Sequence, residues 1–226
     1  MADLSAVNRT DPPPWPEDPV ERAAAAAAAG LRRPVPAETA AALELLVAGD
    51  PDPRVRAAAL GALARLPDPP AGVWLRAAAD PDPSVRSRAA DLAPAFAARS
   101  GAAIAGGLVT LLGDGEAAVA EAAAWALGEL GEEAVRAGAV GPLAEAARSH
   151  GDPLVREAAV AALGALGDPG GLEAVLAACR DKPAIRRRAV LALAAFEGPA
   201  VDGALRAALD DKDWQTRQAA EDLLSQ

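Results

Sequence analysis

The sequence predicts an all-α protein, an α-solenoid of about six to seven antiparallel helix pairs, and three observations carry that prediction. Apolar residues make up 52% of the chain but aromatics only 3%, with no Tyr and two Phe. The apolar content is mostly Ala and Leu, strong helix formers, while the β-branched and aromatic residues that favour strands are scarce. A short string, Asp52-Pro53-Arg54-Val55-Arg56, recurs along the chain. Each recurrence is followed by apolar residues at helical spacing.

The string returns as Asp82-Pro83-Ser84-Val85-Arg86 and Asp152-Pro153-Leu154-Val155-Arg156. Degenerate copies are Glu116-Ala117-Ala118-Val119-Ala120, Lys182-Pro183-Ala184-Ile185-Arg186 and Asp213-Trp214-Gln215-Thr216-Arg217. With the Val-type residue as position zero, copies begin at 55, 85, 119, 155, 185 and 216. Asp is a favoured N-cap, and Pro after it lacks only an N–H that would be unpaired anyway. The Arg four residues after the Asp is placed to pair with it or with an Asp of a neighbouring repeat. An exposed pair of that kind contributes only a few tenths of a kcal/mol.

Position +4 is always Ala: Ala59, Ala89, Ala123, Ala159, Ala189 and Ala220. Position +8 holds Leu63, Ala93, Leu127, Leu163, Leu193 and Leu224, and position +11 holds Leu66, Phe96, Leu130, Leu166 and Phe196. Positions 0, 4, 8 and 11 share one helical face. A constant small residue in the middle of that face means that another helix passes close by.

Shorter amphipathic segments alternate with these helices: Ala37–Ala48, Gly72–Ala79, Ala102–Leu112, Gly141–Arg148, Gly171–Arg180 and Pro199–Leu209. Turns rich in Gly, Asp and Pro separate them. A single pair cannot bury its apolar face, so neighbours must stack. A weaker unit over Asp18–Gly49, with Ala23–Ala29 in its first helix, is the expected N-terminal cap. Residues 1–16, with Pro12-Pro13-Pro14-Trp15-Pro16, are expected to form a flexible or polyproline-like arm, and 17–226 one repeat domain. Pro94 should kink or shorten its helix.

The repeat resembles the HEAT repeat family, including bilin-lyase-like HEAT repeats, over roughly residues 37–226. One stretch, Val119 to Leu130 followed by Arg136-Ala137-Gly138-Ala139-Val140-Gly141-Pro142-Leu143, is more similar to an armadillo repeat. Armadillo proteins hold extended peptides with a Trp and, four residues later, an Asn. Trp125 matches the Trp, and Glu129 stands where the Asn would be. The resemblance therefore implies a peptide groove without Asn-type clamping.

Chemistry-bearing residues are few. Net charge is −10, which argues against phosphate-backbone binding and against adsorption to anionic membranes. It also speaks against the DNA glycosylases built on HEAT-like repeats. One His and one Cys leave no metal-ligand cluster, and no cofactor is expected. Deoxyhypusine hydroxylase resembles the chain in its helix pairs but needs several His-Glu motifs, whereas His150 precedes Gly151. The start of the chain lacks signal-peptide character, and no apolar stretch reaches the roughly 20 residues of a membrane span, so a cytoplasmic protein, a monomer by default, is expected.

Cys179, in register with Leu172, Val175 and Leu176, reads as a buried small hydrophobe, and His150 as a solvated loop residue. Trp74 should fill the core of its pair, while Trp15 could pack on the first repeat or meet a partner. Positions +3, +6 and +10 form a separate face, which lines the concave surface in HEAT and armadillo proteins. Along it stand Arg65, Arg88, Asp91, Trp125, Glu129 and Arg188, with Glu121 beside them and small residues between. Trp125 can either serve partner binding or fill a gap between repeats. The leading expectation is a non-catalytic scaffold or adaptor, binding a protein or peptide segment at these seven residues and no nucleic acid or membrane. The alternatives are a bilin-lyase-like enzyme or enzyme subunit and a structural spacer that self-associates.

Overall fold

The computed structural model describes residues 15–225, so the expected arm lies almost wholly outside the described residues. Within them every regular element is helical: α1 (Pro19–Ala29), α2 (Ala37–Gly49), α3 (Pro53–Leu63), α4 (Ala71–Ala78), α5 (Pro83–Leu111), α6 (Ala117–Leu130), α7 (Glu132–Arg136), α8 (Val140–Ser149), α9 (Pro153–Leu166), α10 (Leu172–Ala178), α11 (Pro183–Ala192), α12 (Pro199–Ala208) and α13 (Trp214–Leu224). Short 3-10 turns occupy Pro169–Gly171 and Leu193–Ala195. The helices fall into two compact units, Met1–Ala89 and Ala90–Gln226. No described helix is long and apolar enough to cross a membrane.

The repeated string starts helices as its chemistry dictates. The carboxylates of Asp52, Asp82 and Asp152 accept from the backbone N–H two residues on, at 2.8, 2.9 and 2.8 Å. Asp213 reaches the N–H of Thr216, and Asp18 caps α1 through the N–H groups of Val20 and Glu21. The degenerate Glu116 and Lys182 make no side-chain cap. Position zero is buried in all six copies, as is every Ala at +4. Leu63, Ala93, Leu127, Leu163 and Leu193 at +8 are buried too, each Leu worth about 2 kcal/mol. The exceptions are Leu224, which is exposed, and position +11, where only Phe96 is fully buried. Trp74 fills the core of the first unit and donates its indole N–H to the Ala89 carbonyl at 2.7 Å.

The helices touch most closely where a glycine at +9 faces an alanine at +7 of the next repeat. A Cβ on Gly164 of α9 would lie 2.6 Å from the Cβ of Ala192 on α11, and one on Gly128 of α6 would lie 3.0 Å from the Cα of Ala162 on α9. Only hydrogen fits at such crossings.

Arginine at +1 does not pair with its own capping Asp. It reaches forward 24 to 28 residues, to the Asp of the turn that opens the next repeat. Arg56 donates Nε and Nη2 to Asp80 at 2.7 Å each, and Arg186 donates the same pair to Asp211 at 2.8 and 2.7 Å. Arg156 holds Asp181, and Arg22 holds Asp50, in the same way. The remaining Nη1 donates to backbone carbonyls of the arginine's own turn, such as Asp50 and Pro51 for Arg56. Each Asp meanwhile accepts a backbone N–H of its own turn. The pairs are mostly shielded from solvent, so this is a two-fork clamp rather than a surface ion pair. One repeat carries Ala120 where the arginine would be, and the position its partner would occupy is His150. There the imidazole Nδ1 accepts the N–H of Asp152 at 3.1 Å, so the turn keeps its shape without a carboxylate.

Three features depart from the expected pattern. Pro94 is absorbed inside α5, and the break comes at Ser100 (φ −133°, ψ 30°), just before Gly101. The armadillo-like stretch inserts α7 between α6 and α8, giving that repeat three helices, as armadillo units can have. Cys179 is half-buried rather than buried, with Val175 the only fully buried member of its expected stripe.

Candidate groove on the second unit

Three successive repeats present their +6 residues side by side: Trp125 on α6, Ala161 on α9 and Leu191 on α11. Two large residues therefore flank a small one. Trp125 is 40% exposed and Leu191 46%. Between them lies a groove of about 270 Å³, lined by Ala161, Gly164, Ala165, Ala192, Ala194 and Ala195 together with Arg188. Alanine and glycine make this floor because the helices beneath it cross at hydrogen-to-methyl distance.

Arg188 sits over Trp125, with its guanidinium carbon 5.4 Å from the ring centroid. That is cation–π range. The nearest acid, Glu157, approaches Nη2 at 3.6 Å, an ionic contact too long for a hydrogen bond. Among the described residues, the buried Nε of Arg188 has no hydrogen-bond partner. The groove lining holds no acid, thiol or imidazole.

The other expected site residues are placed as follows. Glu121 and Glu129 lie one helical turn before and after Trp125, half-buried and exposed respectively, and neither lines the groove. Asp91, in the same unit, is exposed. Arg65 and Arg88 belong to the first unit and converge on Gly61. Arg65 donates to the Gly61 carbonyl at 3.0 Å, and Arg88 Nη2 lies 3.3 Å from where a Gly61 Cβ would stand. The structure thus brings Trp125 and Arg188 together in the second unit, and Arg65 and Arg88 together at Gly61 in the first.

A second cavity, of about 620 Å³, was not foreseen. It separates α10 from α12 and is lined by Leu176, Ala177, Cys179, Ala200, Gly203 and Ala204 among others. Small residues at i, i+3, i+4 and i+7 of α12 (Ala200, Gly203, Ala204, Ala207) were the available signal. The Cys179 thiol in its wall is pushed up to about 11 by burial, against a weaker opposing pull from Arg180. It is a poor nucleophile at neutral pH. No group of three or more potential metal ligands occurs among the described residues.

Comparison with known proteins agrees with this architecture. No curated protein matches the chain. An engineered protein shares 24% identity with a TM-score of 0.60, covering 91% of this chain and 63% of its own. A designed armadillo repeat protein shares 18% with a TM-score of 0.55, covering 89% and 98%. A chain from a structure of Kap95p bound to RanGDP shares 16% with a TM-score of 0.64, covering 93% and 34%. At these identities the likeness is one of fold. The sequence profile of HEAT repeats matches residues 16–93 and 140–225, leaving out α5 from Pro94 onward together with α6 and α7. With most of its length matched, the chain belongs to the HEAT-repeat family.

Proposed function

We propose that the protein is a non-catalytic scaffold or adaptor of the cytoplasm, and that the groove between Trp125 and Leu191 holds an extended segment of a protein partner. The observation that carries this reading is Trp125, a large aromatic left open beside a floor of small residues. Exposed Trp and Arg are the side chains most often found at binding hot spots. The groove's size supports a side chain as occupant: about 270 Å³ is below the roughly 300–1,000 Å³ of small-molecule sites. Its single ionisable side chain, Arg188, offers no general base or nucleophile, which supports a binding role over a catalytic one. The repeat fold itself is typical of proteins that present long surfaces to protein partners.

The test is affinity capture from native lysate with wild type, with the double variant Trp125→Ala/Leu191→Ala, and with Trp214→Ala. Trp214 is 64% exposed but outside the groove, so it controls for nonspecific loss of an aromatic. Partners lost with the double variant and kept by Trp214→Ala support the groove. An identical set from all three proteins moves the binding surface elsewhere.

A further inference from the structure

We infer that the segment held in the Trp125 groove carries a bulky apolar residue next to a carboxylate, the apolar side chain lying between Trp125 and Leu191 and the carboxylate accepting from Arg188. This rests on the reading that the groove binds a peptide. The apolar half follows from the walls, an indole face and an exposed leucine over an alanine floor. The acidic half follows from the state of Arg188.

The clamp arginines set the standard for comparison. Arg56, Arg156 and Arg186 each commit Nε and Nη2 to a carboxylate and Nη1 to a carbonyl. Arg188 does not. Its Nε is buried without a partner, its ring contact offers no lone pair in the guanidinium plane, and Glu157 stands beyond hydrogen-bond distance. A guanidinium has five donors and no acceptor, so only an acceptor-rich group can relieve it. With 37% of the Arg188 side chain still open to solvent, an incoming group can reach its edge. A carboxylate matches that fork best, and the low polarity of the groove strengthens the bond. A basic segment would meet a like charge at the same point. The chain's net charge of −10 repels a polyacidic partner at long range, so a single acid beside an apolar residue fits better than an acidic run.

The experiment selects a displayed library of random dodecapeptides on the full chain. Enriched peptides are then synthesised with their acid and with the matching amide, and titrated by fluorescence anisotropy against wild type, Trp125→Ala and Arg188→Gln. Thermal unfolding of each variant confirms that it is folded. The expected winners pair an aliphatic or aromatic residue with Asp or Glu. Replacing the acid by its amide should weaken binding to wild type about tenfold or more, and to Arg188→Gln by less than about twofold. Winners that depend on Trp125 but lack an acid, or lose equally on wild type and Arg188→Gln, would overturn the carboxylate while leaving the groove reading intact. Winners indifferent to Trp125→Ala, or no enrichment at all, would overturn both.

Discussion

Replacing Gly164 by Ala is the sharpest test of how these repeats are held together. In a helix interior the change normally stabilises by about 1 kcal/mol, because Gly surrenders more backbone freedom on folding. Here the new methyl would sit 2.6 Å from the Cβ and 2.8 Å from the Cα of Ala192. Ordinary carbon contact begins about 0.8 Å farther out. Neither opposing atom can rotate away, since both are fixed by the α11 backbone, so α9 and α11 must separate. Overpacking of this kind costs about 1–3 kcal/mol, and a clash against backbone belongs at the upper end, leaving a net loss of about 1–2 kcal/mol. Gly106 in α5 is the control, because a Cβ there meets nothing within 4 Å. Thermal unfolding by circular dichroism should show Gly106→Ala raised by about 2–4 °C and Gly164→Ala lowered by a similar or larger amount. If both variants gain stability alike, the helices do not cross where the structure puts them, and the floor of the groove has been misread.

The clamps and the thiol give further expectations. Asp80→Ala should destabilise by about 2–3 kcal/mol, since it strands the guanidinium of Arg56, and a double-mutant cycle with Arg56→Ala should recover a large part of that loss; strictly additive losses would mean that the pair is not coupled. Stability should also fall in acid. Arg156 and Arg186 hold the carboxyls of Asp181 and Asp211 below the usual range, and a side-chain bond from Arg54 lowers Asp52 to about 2. A depressed folded-state value gives stability that is present above the ordinary carboxylate pKa of about 3.8 and lost as pH falls toward 2, so denaturant midpoints flat from pH 7 to 2 would contradict it. Cys179 should react with a disulfide reagent at pH 8 at least about tenfold more slowly than in the unfolded chain, because raising the thiol from 9.0 to about 11 cuts its thiolate fraction about a hundredfold while making each thiolate more nucleophilic, and equal rates would refute its burial.

Much of the fold was legible because the repeat writes local rules several times over. Within the repeated string Asp-Pro marks the helix start, at Pro53, Pro83 and Pro153, and position zero and +4 name the buried face directly. Two of the three degenerate copies failed as caps, because Glu116 and Lys182 cannot place a short carboxylate on the first-turn amides, whereas Asp213 can. What escaped, or was left open between an arginine's own Asp and one of a neighbouring repeat, was set by residues remote in sequence. The partner of Arg56 lies 24 residues away, and only the packed repeat brings it close. The crossing of Gly164 over Ala192 likewise depends on how two helices stack. In α5 Pro94 gave a local signal, but the helix tolerated it and broke at Ser100 instead. Of the site, Trp125 and Arg188 were legible as members of one face, though not as a contacting pair. That Arg188 would keep an unpaired donor was not, because Glu157 stops 3.6 Å short of it.

The exchange of Ala120 and His150 for the usual Arg and Asp means that the joints of the second unit are not thermodynamically alike. Between α9 and α11, and between α11 and α13, helix packing is reinforced by a charged clamp. Between α6 and α9 that clamp is missing, and contact rests on apolar surfaces with Gly128 laid against Ala162. Acid erodes the carboxylates of the clamped joints, while cooling weakens apolar contact and so falls hardest on the joint without a clamp. The weakest link of the array therefore changes place with conditions. Trp125 stands on α6, at the unclamped joint, while the opposite wall of its groove, Arg188 and Leu191, stands on α11 behind a clamped one, so the two walls answer to different conditions.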